Sequence, residues 1–420
     1  MLQQSSFTYI PLFAVFALAL AYLATSLNLP VALAHPYVLI PATQTDPQEH
    51  HHQQQQQQQP VLQQDTQQLP FGSRWSHTTK HSSDATVLVT GQDLPSETFT
   101  LKHLLHRGGN QFPGLFRRLD LDPADLKLLE LKTGRPHTHR LKVKATKTLK
   151  PRDQSYRNQG FRSFDASIAP ESWTTEVIPG PDIEDKDTVL QLSKLNYNAY
   201  MEHGSSGWYD LEGKWTVNST FGWEEEGVRG HVYASEDNAT LVISIKGTSP
   251  LGGGSTSTRD KINEILWTVQ DMYPGTNVWL TGHSLGGSLT ALLGLTFGIP
   301  TVTFEAPGDR LAATRLHLPM PPAIDWNDLP LYHFGHTADP VFLGQCNGPS
   351  SLCYYSGYAM ESKCHTGRSC VYNPVEEDGW KVDIRTHRLW DTIEGVIKPK
   401  DVPGCKPEVD CVDCELWTYT

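Results

Sequence analysis

The sequence predicts an α/β fold, a central sheet with helices packed against it, on three observations. Apolar runs suited to buried strands alternate with segments of helical period along residues 181–400. One such junction, Val278-Trp-Leu-Thr-Gly-His-Ser-Leu-Gly-Gly287, passes through Gly-x-Ser-x-Gly into a second apolar run, Leu289 to Leu295. That is the pattern of a strand turned sharply around a serine into a helix. After that serine come Asp339 and then His387, each beside an expected strand or helix end.

The elements follow in order. Phe7 to Leu29 is almost entirely apolar and long enough to cross a membrane once as a helix. Ala32-Leu-Ala34 resembles a signal-peptidase site, which would make this a cleaved signal peptide. The apolar stretch exceeds the usual signal core and no Lys or Arg precedes it, which favours a retained signal-anchor. Residues 1–6 are then a short cytosolic tail. Residues 30–75 read as a low-complexity linker, rich in Gln and His, that buries almost nothing apolar. His50, His51 and His52 belong to that composition, and no metal or other cofactor is expected. Residues 76–180 form a basic region with nine Lys or Arg against one Asp between Arg135 and Arg162. It reads either as a solvated polar loop region or as a face for anionic lipid head groups.

From Asp182 the pattern is that of a packed domain, assigned to residues 181–400. Asp185 or Asp187 caps a helix to about Met201, with Val189, Leu190, Leu192, Leu195 and Tyr200 on one face. Gly230 to Ala234 and Leu241 to Ile245 read as strands joined by a tight turn, Ser235 to Asn238. A helix is expected from about Asp260 to Met272, and further strands at Pro300 to Phe304 and Leu329 to Phe334. Residues 401–420 form a cysteine-containing tail. All seven cysteines lie after residue 345, at 346, 353, 364, 370, 405, 411 and 414, and read as disulfides made in an oxidising compartment. The rival zinc reading of Cys411 and Cys414 has no second matching pair. Sequons at Asn218 and Asn238 point the same way, placing everything after the anchor outside the cytosol. A formal net charge of -12 argues against nucleic-acid binding.

The serine at the turn, Ser284, has the context of a nucleophile, and Gly282 and Gly286 leave room for the tightened backbone. A serine hydroxyl needs a histidine to take its proton and a carboxylate to orient that histidine, in the chain order Ser, acid, His. Among Asp309, Asp325, Asp328, Asp339 and Asp383, Asp339 stands in the loop just after an expected strand, where α/β folds place chemistry. Of the histidines beyond it, His365 lies between two cysteines, while His387 opens an expected last helix; His387 is the base of choice. The backbone N–H of Leu285 and the amide and hydroxyl of Thr248 are the candidate oxyanion donors. His283 is expected to point away from the site and pack.

With these residues in place, the chain resembles the filamentous-fungal triacylglycerol lipases, which have an α/β-hydrolase core. More narrowly it resembles the fungal autophagic-body lipases, a group of vacuolar phospholipases. The resembling stretches include Asp185 to Val189, Asn198 to Tyr200, Ile245 to Ser249, Asp260 to Asn263, Asn277 to Gly287, Thr303 to Ala306, His336 to Asp339 and Cys364 to Gly367. The resemblance covers roughly residues 100 to 420. It implies a single-pass type II anchor and a lumenal catalytic domain. It further implies passage through the endomembrane system to the vacuole, with membrane phospholipids and triacylglycerol as substrates. One departure stands out: the family's cysteine-rich insert and second helix after Asp-Lys-Ile-Asn are missing, and Asn263 leads within about ten residues to Pro274. Two other readings remain open, a secreted esterase if the N-terminal segment is cleaved, and a lipase fold that binds lipid without turnover.

Overall fold

A computed structural model describes residues 95–108, 116–151, 173–200, 227–247, 257–318, 320, 324–345 and 362–413. All fall within one compact unit, Ser83–Thr420. The candidate anchor, the Gln/His linker, Asn218, Thr248, Cys346, Cys353 and Cys414 lie outside the described residues. Among those described, no helix is long and apolar enough to cross a membrane.

The parallel centre of the sheet is built as the apolar runs require. β5 (Gly227–Ser235) and β6 (Thr240–Ile245) form a hairpin, and β7 (Asn277–His283), β8 (Thr301–Phe304), β9 (Leu331–His336) and β10 (Arg368–Tyr372) then add in parallel. Every residue of β6 and β8 is buried, as strands covered on both faces demand. Alternation sorts their side chains. Val242 and Trp279 face one core, with Val189, Leu192 and Leu195 of α2 (Lys186–Asn198). Leu241, Ile243, Val278 and Leu280 face the other, with Ile262, Ile265, Leu266 and Val269 of α3 (Ser257–Met272). The Asp185 side chain accepts the Thr188 N–H at the start of α2, the cap expected for it. Asn238 is exposed in the β5–β6 turn.

The basic region is no loop region where it is described. β1 (Ser96–Gly108), β2 (Phe116–Asp120), β3 (Thr138–Pro151) and β4 (Trp173–Pro181) extend the same sheet, in the order β11-β10-β9-β8-β7-β6-β5-β1-β3-β4 with β2 also on β1. α1 (Pro123–Thr133) links β2 to β3. The lysines of β3 escape notice as a strand because their outward row is charged, while Leu141 and Val143 point into the core. Those charges are locally matched: Lys142 to Asp185, Lys144 to Glu184, Lys147 to Asp328 and Lys150 to Glu176.

The shortened segment after Asn263 closes as a continuous unit. α3 buries its apolar stripe, Gly275 turns the chain at a φ of 78°, and β7 begins at Asn277. α4 (Leu285–Phe297) follows β7 and is buried on nearly all sides. Next come α5 (Arg310–Arg315), α6 (Pro374–Asp378), α7 (Leu389–Thr392) with a π-helical continuation over Ile393–Ile397, and β11 (Cys405–Lys406).

Disulfides Cys364–Cys411 and Cys370–Cys405 tie the tail to the sheet edge. They close loops with sequence separations of 47 and 35, for which chain entropy predicts about 4 kcal/mol each. Reduction with dithiothreitol is therefore expected to lower the thermal unfolding midpoint, measured by calorimetry with and without reductant; an unchanged midpoint would contradict that role.

Candidate active site

The site is assembled where β7 meets α4. Ser284 sits between them with φ 58° and ψ -137°, a backbone conformation that a residue with a side chain rarely adopts. The turn is possible because its neighbours have no side chain. A Cβ on Gly282 would lie 2.5 Å from the Gly286 carbonyl oxygen, and one on Gly286 would lie 2.6 Å from that of Ile245. The expected need for glycine at both positions is thus a matter of backbone against backbone.

Around this turn the structure brings together the three sequence-predicted side chains. His387 Nε2 lies 2.9 Å from Ser284 Oγ, and His387 Nδ1 lies 2.8 Å from Asp339 Oδ2. Asp339 is fully buried in the turn after β9, where its other oxygen accepts the Val341 N–H at 2.8 Å. Burial alone would raise its pKa, but His387 and the other donors around it outweigh that and keep it ionised. His387 closes the 3-10 turn Ile384–His387. That turn is fastened to the acid's loop at one atom: the Ala338 carbonyl accepts the Asp383 N–H at 3.1 Å and the Thr386 hydroxyl at 2.7 Å.

The other candidates are occupied elsewhere. Asp309 binds the Thr366 N–H and hydroxyl, Asp325 and Asp383 cap short turns, and Asp328 pairs with Lys147. His365 is held between Glu408 and the Ala306 carbonyl. As the first residue of α4, Leu285 has an N–H with no carbonyl one turn back to bond. Thr248 is outside the described residues; Gly247, the residue before it, lies against the nucleophile, where an added Cβ would be 3.0 Å from Ser284 Cβ.

His283 overturns the expectation that it points away. Its ring lies 4.8 Å from that of His387, and its Nε2 is 3.0 Å from the His387 carbonyl oxygen. That oxygen only accepts, so Nε2 carries the proton and Nδ1 must accept from the Tyr200 hydroxyl, 2.6 Å away. The hydroxyl oxygen in turn accepts the Gly247 N–H at 3.1 Å. Burial, with His387 beside it, pushes His283 down to about 3, so the ring stays neutral as this pattern requires. The sequence shows Tyr200 only as an apolar position on the helix expected to run to about Met201 and as the end of a resembling stretch; the helix stops at Asn198 and Tyr200 lies in the turn beyond it.

Two further residues appeared in the sequence only inside resembling stretches, with no role. Glu305, just after β8, is fully buried at a φ of 46°, with Oε2 on the backbone N–H of His336, which opens the turn that carries Asp339; the His336 ring lies buried beside it. A glutamate after an apolar strand carries no local mark of burial, which is set by the neighbouring strand and the C-terminal helix.

Residues 212–300 match the family described as Lipase (class 3). That stretch is therefore similar to the class 3 lipases. The match spans β5 to α4 and includes Ser284, whereas Asp339 and His387 lie beyond it. Curated relatives are similar over most of this chain. One named "Putative lipase atg15" from Penicillium rubens is 37% identical over 76% of this chain and 59% of its own length. One named "Putative lipase ATG15" from Passalora fulva is 36% identical over 78% of this chain and 60% of its own. The chain thus spans about three fifths of the length of these relatives. Among solved structures, the lipase from Rhizopus microsporus var. chinensis is 15% identical, with 34% of this chain and 57% of that one covered and a TM-score of 0.24. At that score the fold rests on the strand order described above.

Tyr200→Phe is expected to strip partners from the Gly247 N–H and His283 Nδ1, destabilising the fold by about 1–3 kcal/mol. Denaturant unfolding of the variant against wild type measures this, and an unchanged midpoint would show that water replaces the hydroxyl.

Proposed function

We propose that the chain is a serine carboxylic-ester hydrolase acting on lipids. The observation that carries this is the continuous hydrogen-bonded series from Ser284 Oγ through His387 to a buried Asp339, at 2.9 and 2.8 Å. In this mechanism Ser284 Oγ attacks the acyl carbonyl carbon while His387 Nε2 takes the hydroxyl proton. Asp339 holds the His387 Nδ1–H and stabilises the imidazolium that forms. The carbonyl oxygen, now anionic, is held by the Leu285 N–H, with Thr248 as the second donor. His387 then gives its proton to the departing alcohol, leaving an acyl ester on Ser284. Water, deprotonated by His387, hydrolyses that ester and restores the serine.

The finer reading follows the sequence resemblance and the lipase names of the relatives. Membrane phospholipids and triacylglycerol are the proposed substrates. Residues 7–29 serve as a single-pass type II anchor and the linker spans 30–75. The catalytic domain is lumenal, with glycans at Asn218 and Asn238, and acts in the vacuole on autophagic and multivesicular bodies. No metal or cofactor takes part in the proposed chemistry.

Purified full chain, wild type and Ser284→Ala, is to be assayed for fatty acid release from phospholipid vesicles and from triacylglycerol emulsion at acidic and neutral pH. Release by wild type, fastest from vesicles at acidic pH, is expected, with a drop of at least about a thousandfold in the variant. Equal release by both proteins would end the assignment.

A further inference from the structure

The mechanism uses one buried carboxyl at the site, yet the structure places two there. Glu305 Oε2 is 3.4 Å from the His336 backbone N–H, while no donor among the described residues reaches Oε1. His336 supplies no counter-charge. Its Nδ1 accepts the Ala338 N–H at 3.2 Å, so the ring proton is on Nε2, directed to the Thr386 carbonyl at 3.3 Å. Glu305 Oε1 lies 3.6 Å from that nitrogen, too far for a hydrogen bond. The other groups facing Glu305 are the Thr392 hydroxyl of α7, the Tyr372 phenol of β10 and the Asp339 carboxyl.

Glu305 and Asp339 are both fully buried and both are bonded to the His336 backbone, Glu305 through its Oε2 and Asp339 through its N–H, and two ionised carboxylates packed on one turn with a single imidazole as counter-charge are not sustained. Asp339 has the His387 and Val341 donors and is the anion. Glu305 is then the acid. Burial, and after it the neighbouring Asp339, raises its pKa well above the usual carboxylate range. Its backbone gives an independent reason to ask what it does, because φ of 46° suits glycine and strains a residue with a side chain.

We infer that Glu305 is a positioning residue for Asp339: as a neutral acid it donates a hydrogen bond to the Asp339 carboxylate and fixes the anion that orients His387. The inference rests on the serine-hydrolase reading above. It makes the acid of the series a pair of carboxyls sharing one proton, with Glu305 never touching substrate.

The test compares Glu305→Gln, Glu305→Leu and Glu305→Gly with wild type in the full chain. The readouts are kcat, KM and the pH profile of short-chain ester hydrolysis, and the NMR resonance of the His387 Nδ1–H proton. An amide still donates, so Glu305→Gln is expected to keep kcat within about threefold. Glu305→Leu cannot donate, and kcat is expected to fall about ten- to hundredfold with KM held, since a hydrogen bond to a charged group is lost. The acid limb of its kcat/KM profile moves to higher pH, because an Asp339 anion without that donor attracts the His387 proton more strongly; His336 and His283, both neutral, do not compensate. Glu305→Gly relaxes the backbone and so folds even where leucine does not, and the same loss is expected. Wild-type kcat and profile in the leucine or glycine variant, or equal damage in Glu305→Gln and Glu305→Leu, would overturn the inference. Wild type that hydrolyses no ester would sink the hydrolase reading instead. The Nδ1–H resonance needs no turnover, and whether it shifts in Glu305→Leu but not in Glu305→Gln then decides the positioning role separately.

Discussion

Everything at this site depends on how closely three pieces of backbone approach one another at Ser284. The end of β7, the first turn of α4 and the strand end at Ile245 to Gly247 meet at distances that no side chain fits between. Gly282 and Gly286 admit the contact, and the strained serine is its product. Because β6, β7 and β8 are buried on both faces, the turn has no room to relax, and rigid packing sustains the strain.

From that point the site is extended by turns fastened to one another. The Ala338 carbonyl holds the histidine's turn to the acid's turn, and the His283 ring links the His387 carbonyl to Tyr200 and Gly247. Base, nucleophile and the loop expected to supply an oxyanion donor are thereby set relative to one another by directional bonds. Each donor in this chain has one acceptor, which fixes the His283 tautomer without appeal to its surroundings.

The parts of this arrangement that were legible in the sequence are those with a local signature. Ser284 lies in a pattern that backbone sterics impose, and Asp339 and His387 follow from chain order and from their places beside a strand end and a helix start. β5 to β9 and α2 to α4 were legible because buried parallel strands are apolar throughout and α2 and α3 carry stripes of helical period. The strands at 96–181 were not, since a half-exposed antiparallel strand such as β3 spends its outward positions on lysine and hides its pattern. Nor were the roles of His283, Tyr200 and Glu305, whose neighbours come from elements up to about a hundred residues away in the chain. The shortened link after Asn263, a departure from the resembled pattern in sequence, is a continuous helix, turn and strand in the structure.

The account stands on Ser284 being an activated nucleophile. Treating the folded full chain with a fluorophosphonate and locating the adduct by peptide mass spectrometry tests this most directly, because the reagent modifies a serine only where a base and an oxyanion site act on it. A single phosphonyl adduct on Ser284, lost in His387→Ala, is the predicted result. A protein that stays unlabelled, or is labelled equally without His387, would contradict it.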